Sequence, residues 1–190
     1  MKNIYERRKY VLKELIERLK SGDEIAFKEL TQLIGNDLYR VARTRLKDDD
    51  DINDAIQNTM MYTYRNVKRI KNTESFKSWM LRILINECNK IYNSNKKKNN
   101  IFNKLVGNSE INSYDNSIQI VQDKMNFEAL IDSLSYEEKL VITLHYNSQL
   151  SCSQIAKILN SSTNTIKSRI TRGVKKLKRL YEEVNLYETK

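Results

Sequence analysis

SCSQIAKILNSSTNTIKSRITRGVKKLKRL, residues 151–180, decides the fold. Ser151-Cys-Ser-Gln154 has the form of a capping box with Gln in the Glu place, and it opens a helix carrying Ile155, Ala156, Ile158 and Leu159. Asn160-Ser161 makes a turn, and Ser162 is placed to cap a second helix. In that helix Ile166, Ile170, Val174 and Leu177 recur at i, i+4, i+8 and i+11 and point inward. Thr163, Asn164, Thr165, Lys167, Ser168, Arg169 and Arg172 are left facing outward. Seven cations lie between Asn164 and Arg179 (Lys167, Arg169, Arg172, Lys175, Lys176, Lys178 and Arg179), with no Asp or Glu among them. Self-repulsion along such a helix points to a polyanionic partner. A helix-turn-helix presents the N-terminal end of its second helix to base edges in the DNA major groove.

The composition agrees with helices and with a nucleic-acid partner. The chain lacks Pro and has only four Gly, so a hairpin-rich β fold has too few turn residues. Thirty-four Lys and Arg against 24 Asp and Glu leave a charge of +10, which favours nucleic acid or an anionic membrane surface. No run approaches the roughly 18 apolar residues of a membrane span, and the N-terminal segment has no signal-peptide core. These features predict a cytoplasmic protein that does not insert into membranes. Cys88, Cys152 and the single His145 make no zinc spacing, and the cysteines read as buried small hydrophobes. No Gly-rich phosphate loop, catalytic triad or H-E-x-x-H is present. The chain is therefore expected to be neither an enzyme nor a metal or cofactor protein.

Upstream of residue 151 the periodicity predicts an all-α protein of two small domains: 1–92, a flexible linker over 93–117, and 118–190. Residues 4–20 form an amphipathic helix closed by Ser21-Gly22-Asp23, with Asp23 capping the next helix. Gly35-Asn36-Asp37 allows a bend or break in that second helix, beyond which Arg40, Arg43 and Arg45 face away from the core. The acidic run Asp48 to Asp51 suits the N-terminal dipole of a third helix better than a metal, because consecutive carboxylates on a turn diverge. After the connector 68–74, Ser75 is expected to cap a helix with Phe76, Met80, Ile83, Leu84, Cys88 and Ile91 inward. Trp79, Arg82, Asn86, Asn89 and Lys90 stand beside or opposite that stripe, and Trp79 reads as core aromatic or as a stacking surface for bases. Residues 93–117, rich in Asn, Ser and Lys, lose the helical period. Helices then follow at Ile118–Leu134 and, after the capping box Ser135–Glu138, at Leu140–His145.

Four segments in this order resemble the extracytoplasmic-function type of bacterial RNA polymerase sigma factor, of the sigma-70 family. AFKELTQLIGNDLYRVARTRL (26–46) is similar to that family's opening helices. DINDAIQNTMMYTY (51–64) is similar to D-x-E-D-L-V-Q-E-x-F: Asp54 and Gln57 match, while Asn58 replaces Glu and Met60 replaces Phe. SFKSWMLRILINECNKIY (75–92) resembles S-F-x-x-W-L-x-x-I-A-x-N. LSCSQIAKILNSSTNTIKSRITRGVKKL (150–177) resembles L-S-Y-x-E-I-A-x-I-L…T-V-K-S-R-L-x-R-x-x-x-x-L.

The resemblance implies a factor that binds core RNA polymerase, directs it to promoter DNA and helps open the duplex. It places polymerase contact on the helix from Asp51, with Asp54, Gln57 and Asn58 as exposed candidates. It places minus-10 recognition on Lys71, Asn72 and Thr73 of the base-capturing loop, with Trp79, Arg82, Asn86, Asn89 and Lys90 on the helix that follows. It places minus-35 recognition on the last helix. There Thr163, Asn164 and Thr165 lie at the groove-facing end, and Lys167, Ser168 and Arg169 match K-S-R. Arg172, Lys175 and Lys176 supply sequence-independent attraction. The family is commonly held inactive by an anti-sigma protein clamped on both domains, which makes such a protein an expected partner.

Two other readings fit parts of the sequence. One is a helix-turn-helix transcription regulator with residues 1–92 as sensor or dimerisation domain, which would need a separate sigma factor. The other is a DNA-processing enzyme, favoured only by the acidic run at Asp48–Asp51.

Overall fold

The computed structural model describes residues 2–106 and 127–188, and among them every regular element is helical. The chain divides into two compact units between Ile91 and Tyr92.

The first unit begins with α1 (Lys2–Ser21) and α2 (Glu24–Arg43). Gly22, at φ +97°, ends α1 in the left-handed conformation that glycine adopts without a Cβ penalty. The Gly22 N–H reaches the Leu19 carbonyl at 3.1 Å and the Asp23 N–H that of Arg18 at 3.1 Å, which satisfies two orphan acceptors of the helix end. The Asp23 carboxylate then caps α2, accepting from the N–H groups of Ile25 (2.9 Å) and Ala26 (3.2 Å). The Arg18 guanidinium locks the corner, with Nε 2.8 Å from Asp23 and Nη1 2.9 Å from Glu29.

α2 runs through Gly35-Asn36-Asp37 without a break, against the expected bend. Leu30, Ile34, Leu38, Val41 and Ala42 keep one buried stripe across that triplet, and burying it outweighs the low helix propensity of Gly and Asn. Arg45 is half-buried and does not face away with Arg40 and Arg43.

α3 (Asp49–Asn66) is capped by Asp48, whose carboxylate accepts from the N–H groups of Asp50 (3.0 Å) and Asp51 (3.1 Å). Asp49 to Asp51 fill the first turn, where carboxylates favour the dipole. Two short 3₁₀ turns, Val67–Arg69 and Thr73–Ser75, lead into α4 (Phe76–Val106). The expected cap is displaced. The Asn72 side chain accepts from the Glu74 N–H at 2.8 Å, and the Ser75 hydroxyl donates to the Asn72 carbonyl at 2.8 Å. The core joins Leu15, Ile16 and Leu19 of α1 to the α2 stripe, to Ile52, Ala55 and Met60 of α3, and to Phe76, Met80, Leu81, Leu84 and Cys88 of α4. Burial pushes the Cys88 thiol up to about 12, so it is held as an inert small hydrophobe; Cys152 is only half-buried.

Residues 93–106, expected to lose the helical period, continue α4. Extending an existing helix costs far less than nucleating one, so a polar stretch can follow a well-packed one. Residues 107–117, and the predicted helix start at 118–126, lie outside the described residues.

The second unit contains α5 (Phe127–Asp132), α6 (Tyr136–Ile142), α7 (Cys152–Ile158) and α8 (Thr163–Glu188). Both predicted capping boxes are formed, by Ser135 with Glu138 and by Ser151 with Gln154. A wider π-type turn, Thr143–Asn147, prolongs α6, and His145 Nδ1 lies 2.8 Å from the Leu150 carbonyl. Leu140, Val141, Leu144, Leu150, Ile155, Ile158, Ile166 and Ile170 form the core.

Candidate nucleic-acid interface

The turn between α7 and α8 is closed by local chemistry. Asn160 takes a left-handed conformation, φ +48°, and the Ser161 N–H reaches the Ala156 carbonyl at 2.9 Å. Ser162 caps α8, its hydroxyl accepting from the Thr165 N–H at 3.0 Å. Ile166 and Ile170 are buried, as expected of the inner face, but Val174 is 39% exposed and the inner position falls to Gly173. At Gly173 α8 approaches α6 so closely that a Cβ would lie 2.6 Å from Ile142 Cδ1 and 3.4 Å from Glu138 Cβ. A glycine among basic residues gave no periodic signal, so the sequence did not disclose this contact.

The opposite face of α8 carries Asn164, Lys167, Ser168, Arg172 and Lys175, all exposed, at i, i+3, i+4, i+8 and i+11. Thr163, Thr165 and Arg169 are half-buried at its margin, and exposed Thr171 shares the face. The charge run is less uniform than its sequence. The Lys176 ammonium donates to the Ser133 carbonyl at 2.5 Å, inside the unit. Lys178 and Arg179 face Glu182 and Glu183 at 3.7 and 3.5 Å. The cationic face is thus concentrated on Lys167–Lys175.

In the first unit a shallow cleft of about 370 Å³ opens between the end of α3, the connector and the first turn of α4. It brings together Lys71, Asn72 and Trp79 from the predicted residues, and adds Tyr62, Asn66, Arg69, Ile70 and Ser75. The Tyr62 and Trp79 rings stand 6.1 Å apart, tilted by 43°, and Phe76 backs Trp79 at 6.0 Å. Tyr62 is 50% exposed, so the cleft has an aromatic wall open to solvent. Lys71 and Arg69 supply positive charge at its rim. Tyr62 eluded the sequence reading because it sits beside, not on, the buried stripe of Met60 and Thr63.

Thr73 is half-buried in the second 3₁₀ turn and does not line the cleft. Arg82, Asn86 and Lys90 are exposed along α4, and Asn89 is half-buried. Helical spacing from Trp79 sets these four on one face running away from the cleft. Lys90 pairs with Glu87 at 2.6 Å.

The polymerase candidates sit on α3. Asp54, Gln57 and Asn58 are exposed and Asp51 is half-buried. Met61, 44% exposed, extends the Asp54–Gln57–Asn58 face at i+7 from Asp54. No group of three or more His, Cys, Asp or Glu residues is arranged to hold a metal among the described residues, and no helix there is long and apolar enough to cross a membrane.

Comparison with known proteins places both units. The sigma-70 region 2 profile matches residues 14–98, and the sigma-70 region 4 profile matches residues 124–177. RNA polymerase sigma factor SigV of Bacillus subtilis is 29% identical over 139 residues, covering 73% of this chain and 81% of that protein. The ECF RNA polymerase sigma factor SigW of the same organism is 27% identical over 184 residues, covering 89% and 96%. Among solved structures, sigma factor RpoE of Bartonella quintana, in complex with the anti-sigma factor NepR, has a TM-score of 0.61 at 23% identity, covering 82% of this chain and 96% of its own. CnrH, in complex with the cytosolic domain of CnrY, has a TM-score of 0.62 at 20% identity, covering 91% and 98%. With both signature regions in order and relatives matched along most of their length, the chain belongs to the sigma-70 family, the factors that direct RNA polymerase to promoters at the start of transcription.

Proposed function

We propose that this sigma factor divides its work among three surfaces: α8 for the minus-35 element, the Trp79 cleft with its α4 face for the minus-10 element, and the exposed face of α3 for core polymerase. The observation that carries the minus-10 assignment is the aromatic, cation-rimmed cleft formed by Tyr62, Arg69, Lys71 and Trp79. A base released from the duplex stacks on exposed rings at about 1–3 kcal/mol per base, and adjacent cations hold its phosphate. On α8, Arg169 and Asn164 are placed to address base edges from the first two turns, while Arg172 and Lys175 hold phosphates. Asp54, Gln57 and Asn58, extended by Met61, form a polar surface with one apolar contact for the polymerase.

The protein acts by binding and positioning, not by turnover, and it works in the cytoplasm with the polymerase. A protein partner of the anti-sigma class also fits this reading, because the two solved relatives named above are complexes with such a factor and with a cytosolic domain. Reconstitution with core polymerase and genomic DNA, followed by mapping of transcript starts, tests the function. Discrete starts absent from core alone are expected. No initiation above core alone refutes the reading.

A further inference from the structure

The α1 helix begins ahead of the family match, which starts at residue 14. Its outer turns nevertheless bind the segment that forms the cleft. Asp37 of α2 is buried, its carboxyl only 7% exposed, and it lies between two cations distant in sequence. Arg8 Nη2 of α1 is 3.3 Å from Asp37 Oδ2, and Lys77 Nζ of α4 is 3.0 Å from the same oxygen. Arg8 Nη2 also donates to the Leu33 carbonyl at 2.7 Å, which fixes the guanidinium on α2. One residue on, Lys9 reaches Glu74 in the second 3₁₀ turn at 3.5 Å. Lys77 and Glu74 bracket the entry to α4, between Asn72 and Trp79 of the cleft.

An ion cluster around a buried carboxylate and two partly exposed cations is a poor source of net stability, because desolvating the carboxylate offsets much of the attraction. Its contacts nevertheless tie three helices at one oxygen: Lys77 donates to Asp37 Oδ2, and Arg8, held by the Leu33 carbonyl, stands against the same oxygen as an ion pair. The geometry points to Arg8 as a positioning residue that, through Asp37 and Lys77, holds the loop and first turn of α4 in the register that keeps the Trp79 cleft open for an unpaired base. Lys9 assists from the surface through Glu74. This role rests on the assignment of the cleft to minus-10 capture.

Trp79 is the only tryptophan, so its fluorescence reports on the cleft directly. The full chain is titrated with a single-stranded oligodeoxynucleotide of mixed sequence, and quenching of Trp79 is followed. Arg8→Gln leaves Asp37 paired with Lys77. It is expected to shift Trp79 emission and weaken quenching by about fivefold, the scale of coupling through residues that touch no ligand, at temperatures well below melting. Arg8→Lys restores most of the binding. Because Arg8→Gln can also lower stability, the exposed pair gives a second test: Lys9→Glu weakens quenching, and Lys9→Glu with Glu74→Lys recovers it. A native-like titration for both Arg8→Gln and Lys9→Glu, or a loss of melting temperature with unaltered Trp79 emission, overturns the proposal while leaving the cleft assignment standing. Absence of quenching in the unsubstituted chain overturns the cleft assignment itself.

Discussion

Gly173 and Ile142 meet where α8 crosses α6: a Cβ on Gly173 would lie 2.6 Å from Ile142 Cδ1. Two effects oppose each other there. Alanine in a helix interior gains about 1 kcal/mol over glycine. Against that, the Ile142 methyl must swing aside, although it is the mobile end of its side chain. Gly173→Ala is therefore expected to shift the stability of the second unit by less than about 1 kcal/mol. Gly173→Val adds a branch toward the Glu138 Cβ, 3.4 Å away, and is expected to cost about 2 kcal/mol by overpacking. Thermal melting of the two variants checks the order; equal melting temperatures would show that the helices can part freely.

Adjacent lysines on α8 should behave differently. Lys175 is exposed on the cationic face, whereas the Lys176 ammonium is bound to the Ser133 carbonyl. Lys175→Ala is expected to reduce the slope of log affinity against log salt for duplex binding by about 1, equally on all sequences. Lys176→Ala should leave that slope nearly unchanged and instead lower stability by about 1 kcal/mol through the lost hydrogen bond. Fluorescence anisotropy across a salt series, with a melt of each variant, separates the two.

The helix-turn-helix closes on Asn160 in a left-handed conformation. Asn tolerates that region better than other side chains, and Gly better still. Asn160→Ala is expected to lose about 1 kcal/mol, and Asn160→Gly to equal or exceed the native stability. Chemical denaturation of the full chain, followed by a probe on α8, reads the difference.

These cases also explain what the sequence disclosed. The caps at Asp23, Ser135, Ser151 and Ser162 were legible because each bond joins residues two or three positions apart, and side-chain type alone specifies it. The reading of Val174 as buried failed because the choice between positions 173 and 174 depends on how closely another helix approaches. Asp37 looked like a helix breaker because its partners, Arg8 and Lys77, are 29 and 40 positions away. The helical course of residues 93–106 was hidden because its cause lies upstream, in the packed half of α4. The cationic face of α8 was visible as a charge pattern, whereas the cleft needed Tyr62 and Trp79 brought together from different helices.

Acid should loosen the corner between α1 and α2. The Arg18 guanidinium, foremost through its side-chain hydrogen bond, holds the Asp23 carboxyl below its ordinary value of 3.8. A depressed carboxyl contributes stability that is complete above the unfolded-state value and is lost as pH falls through the folded-state value. Arg18→Met is therefore expected to be less stable than the native chain at neutral pH, with the two stability curves converging below the ordinary carboxyl range. Denaturation at a series of pH values provides the measurement. A difference that persists undiminished in strong acid would assign the loss to packing of the Arg18 stem.

If the exposed face of α3 carries the proposed polymerase contact, substitutions there separate polymerase binding from DNA binding. Asp54 is exposed at the start of that face, and Asn58 occupies its next turn, where the family pattern has Glu. Charge reversal at a surface contact introduces like-charge repulsion and slows association, with little effect on folding when the side chain is exposed. Asp54→Lys is accordingly expected to weaken assembly with core polymerase by about tenfold or more, while duplex binding by the isolated chain stays unchanged. Asn58→Glu restores a carboxylate one turn away and is expected to speed assembly, most visibly at low salt, where surface charges are least screened. Competition for core enzyme against the unsubstituted chain, run at two salt concentrations, measures both effects. If Asp54→Lys competes as well as the native chain, α3 does not carry the polymerase contact through this face.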